Sequence, residues 1–490
     1  DLSMLSLKRI TLILILFSLA ACHRSVLIGV SLPLTGPKEA TGKEMLNAIQ
    51  LYIDSVNEEG GINGRKISLL VRDDSDDPAK AKTVAEEFAA NDRVIGVVGN
   101  VSSSVVTSAA QVYDTTDLIS VTPITTNSDL TGTTKNTFMI NSDGVYQGHF
   151  MADYLKGAME KSRPIVFVQD SPYGRRHWKG FEARANELSM NIIRVITYKN
   201  EELKSDAFTN SLSWDPGADS VVILADDSVE NGVSLLKIIG KTGMSPDGVP
   251  LLAPESFLNP AYTAVEMEKY AESLYVCSPF IWEIANQTAA KLRETYEAKY
   301  NRSPGFAAPM AYDAALLIVS AALEKGPDRK AVQAFLAEQK RKELQAAHKE
   351  LTDGATGELV FRENRFADRD IFVAKVEHGR YKASFTQLAT VKEPYVYAEL
   401  PERIASGVVI DLAGTPYHVV DVVFMGLDVL RINNVNTKDM KFEAEFFLWY
   451  KWRGRSVDPA QIEPVNGTGD IKLTPLKEST KNGIRYRCFR

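Results

Sequence analysis

From Val26 onward the chain alternates between short apolar runs and longer stretches with an apolar residue every third or fourth position. "VLIGVSLPL", "KISLLVRDD", "RVIGVVG" and "LISVTP" are apolar runs of strand length. Between them, "KEMLNAIQLYIDSVNEEGG" places Met45, Ala48, Ile49, Leu51, Tyr52 and Val56 on one helical face and stops at Gly60-Gly61. "DPAKAKTVAEEFAAND" opens with Pro78, a residue favoured in a first helical turn, and keeps Ala81, Val84, Ala85 and Phe88 together. "SSVVTSAAQVYDTTD" is a third helix. The rhythm resumes after Gly144. "VYQGHFMADYLKGAMEK", "GRRHWKGFEARANELS" and "VENGVSLLKIIGKTG" read as helices; "PIVFVQD", "NIIRVITY", "DSVVILAD" and "PLLAPE" read as strands. Strand, helix, strand at this pitch builds βαβ units, hence parallel sheets with helices on both faces. The expected fold class is α/β, with two doubly wound units of about 120 residues in tandem.

Ligands of such sheets bind outside the carboxyl ends of the strands. Those ends carry Thr35-Gly36, Asp73-Asp74, Asn100 to Ser104, Thr122 to Thr126, Asp170 to Tyr173, Asp226-Asp227 and Glu255-Ser256. The first unit is rich in hydroxyls and the second in carboxylates. Ser102, Ser103 and Ser104 stand where a buried strand turns into a helix, and three roles are open to them: a nucleophile, a cradle for an anion, or a helix cap. A nucleophile needs a base and an orienting acid, and no histidine lies at these strand ends. There is no G-x-S-x-G elbow, and no G-x-G-x-x-G or Walker A motif follows a strand. With helix amides and hydroxyls together, the first unit suits a carboxylate. Asp227 and Glu255, across a cleft, suit an ammonium group. A carboxylate on one side and an ammonium on the other describe an α-amino acid. "DDSDDP" lacks the glycine and distal glutamate of a calcium loop and reads as a strand end followed by a helix N-terminus.

Composition narrows this further. Hydrophobic residues make up 44% and charged residues 24%, so a packed globular chain is expected. The net charge of -7 and the lack of long Lys/Arg blocks speak against nucleic acid as the main partner. Cys22, Cys277 and Cys488 are too far apart for a disulfide framework or a zinc site, and the six histidines are scattered; no metal and no cofactor are expected. At the N-terminus, Asp1-Leu2-Ser3 reads as an extension upstream of Met4. Lys8 and Arg9 precede the apolar run Ile10 to Leu19, the parts of a secretory signal peptide. The run ends Leu19-Ala20-Ala21-Cys22, which resembles a bacterial lipobox. Residues 1–22 are then the signal segment, Cys22 is the lipidation site, and the mature chain sits in the periplasm or cell envelope, anchored by its N-terminal lipid.

The segments "IGVSLPLTGP", "GGINGRKISLLVRDD", "DPAKA", "VIGVVGNVSSS", "SVTPITTNSDLT", "SPYG" and "LLAPE" resemble, in order and spacing, the type I periplasmic binding proteins of the leucine/isoleucine/valine-binding branch. The resemblance covers roughly residues 26–388. It implies that Ser103 and Thr126, with backbone groups of Thr125, bind the ligand carboxylate. It implies that Glu255 binds the amino group and that Tyr173 closes from the second lobe. It also implies crossings: lobe one from 26–144 and about 279–352, lobe two from 145–278 and about 353–395, making a bilobed domain over 23–395. The apolar helix in "PMAYDAALLIVSAALEKG" belongs to the core of lobe one. The chain departs from the family where Thr41 precedes Gly42 in place of an aromatic, where Asp227 takes a tyrosine position, and where Ser102 takes a disulfide cysteine's position. A polar or cationic amino acid, or an amide, suits these changes as well as an aliphatic one.

Residues 396–490 change style. "YHVVDVVFMGLDVLRINNVNTKDMKFEAEFFLWYKWRG" shows period-two alternation around a polar turn, with Phe442, Ala444, Phe446, Leu448 and Tyr450 on one face. This predicts a hairpin of about ten residues per strand that needs more sheet than the chain supplies. "GIRYRCFR" reads as the start of a further strand. The hairpin resembles the first two strands of the extracellular β-sandwich of pentameric ligand-gated ion channels, which implies a longer membrane receptor; the other reading is a small accessory β domain attached to a lipoprotein. The expected function is a non-enzymatic, lipid-anchored solute-binding protein for an amino acid or similar zwitterion, serving a membrane permease of the ABC type. Ligand sensing for an attached membrane module is the alternative, and a hydrolase the remoter one.

Overall fold

The computed structural model describes residues 25–130, 132–225, 229–245, 248–340, 352–391, 399–439, 441–453, 474–481 and 483–490. Cys22 and Asp227 lie outside the described residues.

The first lobe is a five-stranded sheet in the order β2-β1-β3-β4-β5. Its strands are β1 (Val26–Leu32), β2 (Ile67–Asp73), β3 (Val94–Gly99), β4 (Ser120–Thr122) and β5 (Thr137–Met139). All four pairings are parallel, as in Val26↔Ile67 and Val97↔Ser120. Helices α1 (Glu39–Glu58), α2 (Pro78–Ala90) and α3 (Ser103–Tyr113) make the crossovers. β1 and β3 are almost wholly buried because both sheet faces are covered, which is why they read as continuous apolar runs. Asp77 caps α2 by accepting from Lys80 N at 2.8 Å, so the acidic run does open a helix.

The second lobe is a seven-stranded sheet, β14-β13-β10-β9-β8-β6-β7. Five strands are mutually parallel: β6 (Pro164–Gln169), β7 (Arg194–Tyr198), β8 (Ser220–Leu224), β9 (Leu251–Pro254) and β10 (Leu274–Ser278). Helices α4 (Gly144–Gly157), α5 (Pro172–Glu187) and α6 (Val229–Lys241) cover them.

The chain then returns to the first lobe. Helices α7 (Gln287–Tyr300), α8 (Ala307–Lys325) and α9 (Arg329–Glu338) contribute to that lobe's core, with Met310, Ala314, Leu317 and Ile318 of α8 fully buried in it. The short strands β11 (Asp353–Gly354) and β12 (Gly357–Glu358) follow. Here the structure differs from the expected crossing near 353. Ala355, Leu359, Phe361 and Ala367 pack in the first lobe's core, and Phe366 bridges Met139 of β5. Buried Asp313 of α8 holds this segment: it accepts from Ala355 N at 2.6 Å and Thr356 N at 2.9 Å, and faces Arg369 at 3.7 Å. The chain reaches the second lobe only at β13 (Phe372–Glu377), which runs antiparallel beside β10, and β14 (Arg380–Ala383).

The strands β15 (Thr386–Thr390), β16 (Val409–Leu412) and β17 (Thr415–Asp421) form one antiparallel sheet, so strands from both sides of residue 395 belong together. This sheet lies on α4. Leu388 and Tyr417 are buried in the same core as Phe150 and Met151, and Ile410 and Leu412 press on Gly157. Beyond it, β18 (Phe424–Asn436), β19 (Lys441–Arg453), β20 (Pro475–Lys481) and β21 (Ile484–Phe489) form a four-stranded sheet, β18-β19-β21-β20. The expected hairpin is there with 13-residue strands, and the chain itself supplies two further strands. Its small core is Leu448, Tyr450, Trp452 and Phe489.

Candidate functional site

The serine run sits at the end of β3, where Ser102 is the N-cap residue of α3 by backbone geometry. Among the described residues no side-chain hydrogen bond from Ser102 caps this helix, so the cap reading of the hydroxyls is corrected. Each of the first two instead meets a cation. Ser102 Oγ accepts from Lys38 Nζ at 2.7 Å, and Ser103 Oγ accepts from Arg176 Nη2 at 2.8 Å. Ser104 is exposed. The first-turn amides of a helix have no acceptor within it and carry its positive end.

Behind this terminus lies a buried brace. Asn100 Nδ2 donates to Ser31 Oγ at 2.7 Å and to Asp74 Oδ2 at 2.6 Å, and Thr122 Oγ1 donates to Asn100 O at 2.8 Å. Burial pushes the Asp74 carboxyl above its ordinary range. The brace fixes the strand ends from which α3 and the 122–126 loop depart. Thr125 and Thr126 are 2% and 3% exposed. Among the described residues nothing accepts from or donates to Thr125 Oγ1, which is uncommon for a buried hydroxyl.

The second lobe supplies the facing wall. Ser171 caps α5 through Gly174 N, which sets Tyr173, Arg176 and His177 on its first turns. α4 and α5 cross at glycines: a Cβ on Gly148 would lie 2.0 Å from His177 O, and one on Gly180 would lie 1.9 Å from Val145 O. This close approach brings His177 against Gln147, with Nε2 3.1 Å from Gln147 Oε1. The Tyr173 and His177 rings stack at 4.0 Å. Gln147 Nε2 donates to Asn141 Oδ1 at 3.3 Å, and Asn141 Nδ2 reaches Glu255 Oε1 at 3.5 Å. Glu255 follows β9 and is 3% exposed. Between the lobes, Arg176 of α5 thus meets Ser103 of α3, and Asn141 meets Glu255; Thr125 and Thr126 are buried in the loop after β4, and Tyr173 is half-buried beside His177.

A periplasmic binding protein family matches residues 25–381. The chain belongs to the periplasmic binding protein family. Over an alignment of 164 residues it is 33% identical to Leu/Ile/Val-binding protein homolog 1 of Brucella abortus (strain 2308), covering 33% of this chain and 44% of the relative. An amino acid binding protein of Pseudomonas aeruginosa is 32% identical over 167 residues, 34% of this chain and 44% of that protein. The alignments thus span less than half the length of these curated relatives. Among solved structures, the branched-chain amino acid transporter substrate binding protein LivJ of Streptococcus pneumoniae, in complex with isoleucine, matches with a TM-score of 0.64 at 20% identity, over 73% of this chain and 98% of that one. A solute binding protein of an ABC transporter from R. palustris, in complex with benzoate, matches with a TM-score of 0.62 at 16% identity, over 73% and 95%. The fold is that of type I periplasmic binding proteins.

Within this family member, sequence reasoning missed Arg176, His177, Gln147, Asn141 and Lys38. The available signal was spacing: Tyr173, Arg176 and His177 stand at i, i+3 and i+4, one helical face just after a strand end. Among the described residues no cluster of His, Cys, Asp or Glu could hold a metal ion.

Proposed function

We propose that this chain is an extracytoplasmic solute-binding protein that closes its two lobes on an amino acid or similar zwitterion. The observation that supports the reading is a pair of contacts between the lobes, Arg176 of α5 with Ser103 at the α3 N-terminus and Asn141 with buried Glu255 after β9. The helix terminus and the hydroxyls of Ser103, Thr125 and Thr126 take the carboxylate. Glu255 takes the ammonium group through a charge-assisted hydrogen bond, with Asp227 as a second acid for that end. Tyr173 closes over the ligand. The relatives support an amino-acid-like ligand and, as partner, an ABC-type membrane permease. Cys22 is the proposed lipid attachment point, holding the protein at the membrane of the cell envelope.

The test is a thermal-shift screen of the full chain against single amino acids. A ligand at about 100 times its Kd adds roughly 2.7 kcal/mol, a clear rise in Tm. Ser103→Ala and Glu255→Gln should each abolish a hit. A hit that survives both would remove these residues from the site.

A second reading, ligand sensing for an attached membrane module, is favoured by one observation. Met425, Leu427, Val429, Ile432 and Phe442 share one face of the last sheet, and each is more than half exposed. Sensing through this sheet expects a second copy of the chain on that face, seen as a dimer or higher assembly by sedimentation. A monomer at high concentration would leave the transport reading alone.

A further inference from the structure

Arg176 is a buried cation to which neither the serine run nor the resemblance assigns a role. It stands on the second turn of α5, in lobe two, and is 7% exposed. Its guanidinium crosses the seam to lobe one. Nη1 donates to Asp129 Oδ2 at 2.9 Å and Nη2 donates to Ser103 Oγ at 2.8 Å. Among the described residues no acceptor meets Nε. A buried guanidinium is costly unless its donors are used. Its one carboxylate partner does little to offset that cost, because the Asp129 side chain is 76% exposed and screened by solvent.

The side edge of the guanidinium, formed by Nε and Nη2, is the edge that holds a carboxylate bidentately. In this structure that edge carries the open Nε and the Nη2 bonded to Ser103, the first residue of α3. It is therefore turned toward the helix end to which the carboxylate is assigned. A second cation, Lys38, meets the neighbouring Ser102 at 2.7 Å and pairs with Asp76 at 3.6 Å. Two side-chain cations and an 11-residue helix's positive end converge on one small volume.

We infer that Arg176 is a specificity-determining residue for an ionised carboxylate, clamping that group from lobe two while the α3 terminus and Ser103 hold it from lobe one. The inference rests on the solute-binding reading for the location of the site, and it narrows the ligand class to carboxylates. Amides and esters are excluded, against the sequence-based expectation that an amide suits as well. The same contact couples binding to closure, because one carboxylate touches both lobes.

The experiment is calorimetric titration of the full chain with L-amino acids, with their α-amides, and with the matching carboxylic acids that lack the amino group. The expected ligand carries a free carboxylate, and its α-amide binds at least 100-fold more weakly. Arg176→Gln weakens the carboxylate at least 30-fold, and Arg176→Lys recovers part of that loss. Asp129→Asn removes the competing negative charge and leaves binding unchanged or tighter. Equal binding of acid and amide would overturn the inference. So would wild-type affinity in Arg176→Gln, a loss in Asp129→Asn as large as in Arg176→Gln, or no carboxylate bound by the wild type. If the acids lacking an amino group bind through Arg176 and no amino acid does, the inference stands and the ammonium half of the proposed function falls. If amino acids bind independently of Arg176, the proposed function stands and the inference falls.

Discussion

His177 shows how a side chain outside the ligand's direct reach can tie this site to pH. It is fully buried, its ring stacked on Tyr173 and its nitrogens facing Tyr173 O and Gln147 Oε1. Burial pushes its pKa down to about 3, helped by the nearby Arg176 charge. In the unfolded chain the ring titrates near 6.5. Between those values the unfolded state binds a proton that the native state refuses. The contribution of this group is thus full above about pH 6.5 and is lost as pH falls toward 3, at about 1.4 kcal/mol per pH unit. We expect Tm to drop on acidification from pH 7 to 5, and the drop to be smaller in His177→Gln. Equal slopes in the two proteins, measured by calorimetry, would show that His177 does not carry the effect. Ser103, Thr125, Thr126 and Glu255 were legible in the sequence because strand ends and a hydroxyl run mark them. Arg176 and His177 were not, since a polar residue on an early helical turn looks the same whether it faces solvent or a second lobe.

At the scale of elements, α4 and α5 decide where the second lobe's wall stands. Their axes approach closely because Gly148 and Gly180 leave room for backbone. A methyl group at either position meets a carbonyl oxygen, which has no rotamer to escape into. Gly148→Ala and Gly180→Ala should each cost about 1–3 kcal/mol, and should also weaken ligand binding by moving Tyr173 and Arg176 off the seam. Stability is checked by urea denaturation and affinity by titration; full affinity in a destabilised variant would separate packing from site geometry. Periodicity made α1 to α6 and most strands readable, because each is long enough to show its repeat. It failed for β5, with only three residues, and for residues 352–369, which enter the first lobe through scattered side chains and no repeat. Asp313 organises that second case. Asp313→Ala removes the acceptor for two backbone amides and leaves Arg369 buried without its partner, an expected loss of about 3–5 kcal/mol.

For the whole molecule, the question is whether the residues beyond the bilobed pattern are an appendage. The β15–β17 sheet argues otherwise through one buried polar group. Asp153 of α4 is fully buried; it accepts from Arg184 Nε at 2.7 Å and from Tyr417 OH at 2.6 Å. Arg184 Nη2 in turn donates to Leu412 O at 2.5 Å. Two of these partners, Tyr417 and Leu412, come from beyond residue 395, so lobe two satisfies its own buried ion pair with the extension. Ending the chain after Val391 would strip Tyr417, Ile410, Leu412 and Val419 from the face of α4 and leave Asp153 and Arg184 short of a donor and an acceptor. The loss of one buried aromatic alone is worth about 3–5 kcal/mol, and the stranded polar groups add to it. A chain ending after Val422 keeps β15 to β17 and loses only the last sheet. We therefore expect the shorter truncation product to melt well below the full chain, or to aggregate, while the longer one melts close to it. Because α4 carries Gln147 and abuts α5, the shorter product should also lose ligand affinity. If instead both truncations melt like the full chain, the extension is dispensable to lobe two, and the Asp153 cluster is satisfied by solvent once Tyr417 is gone.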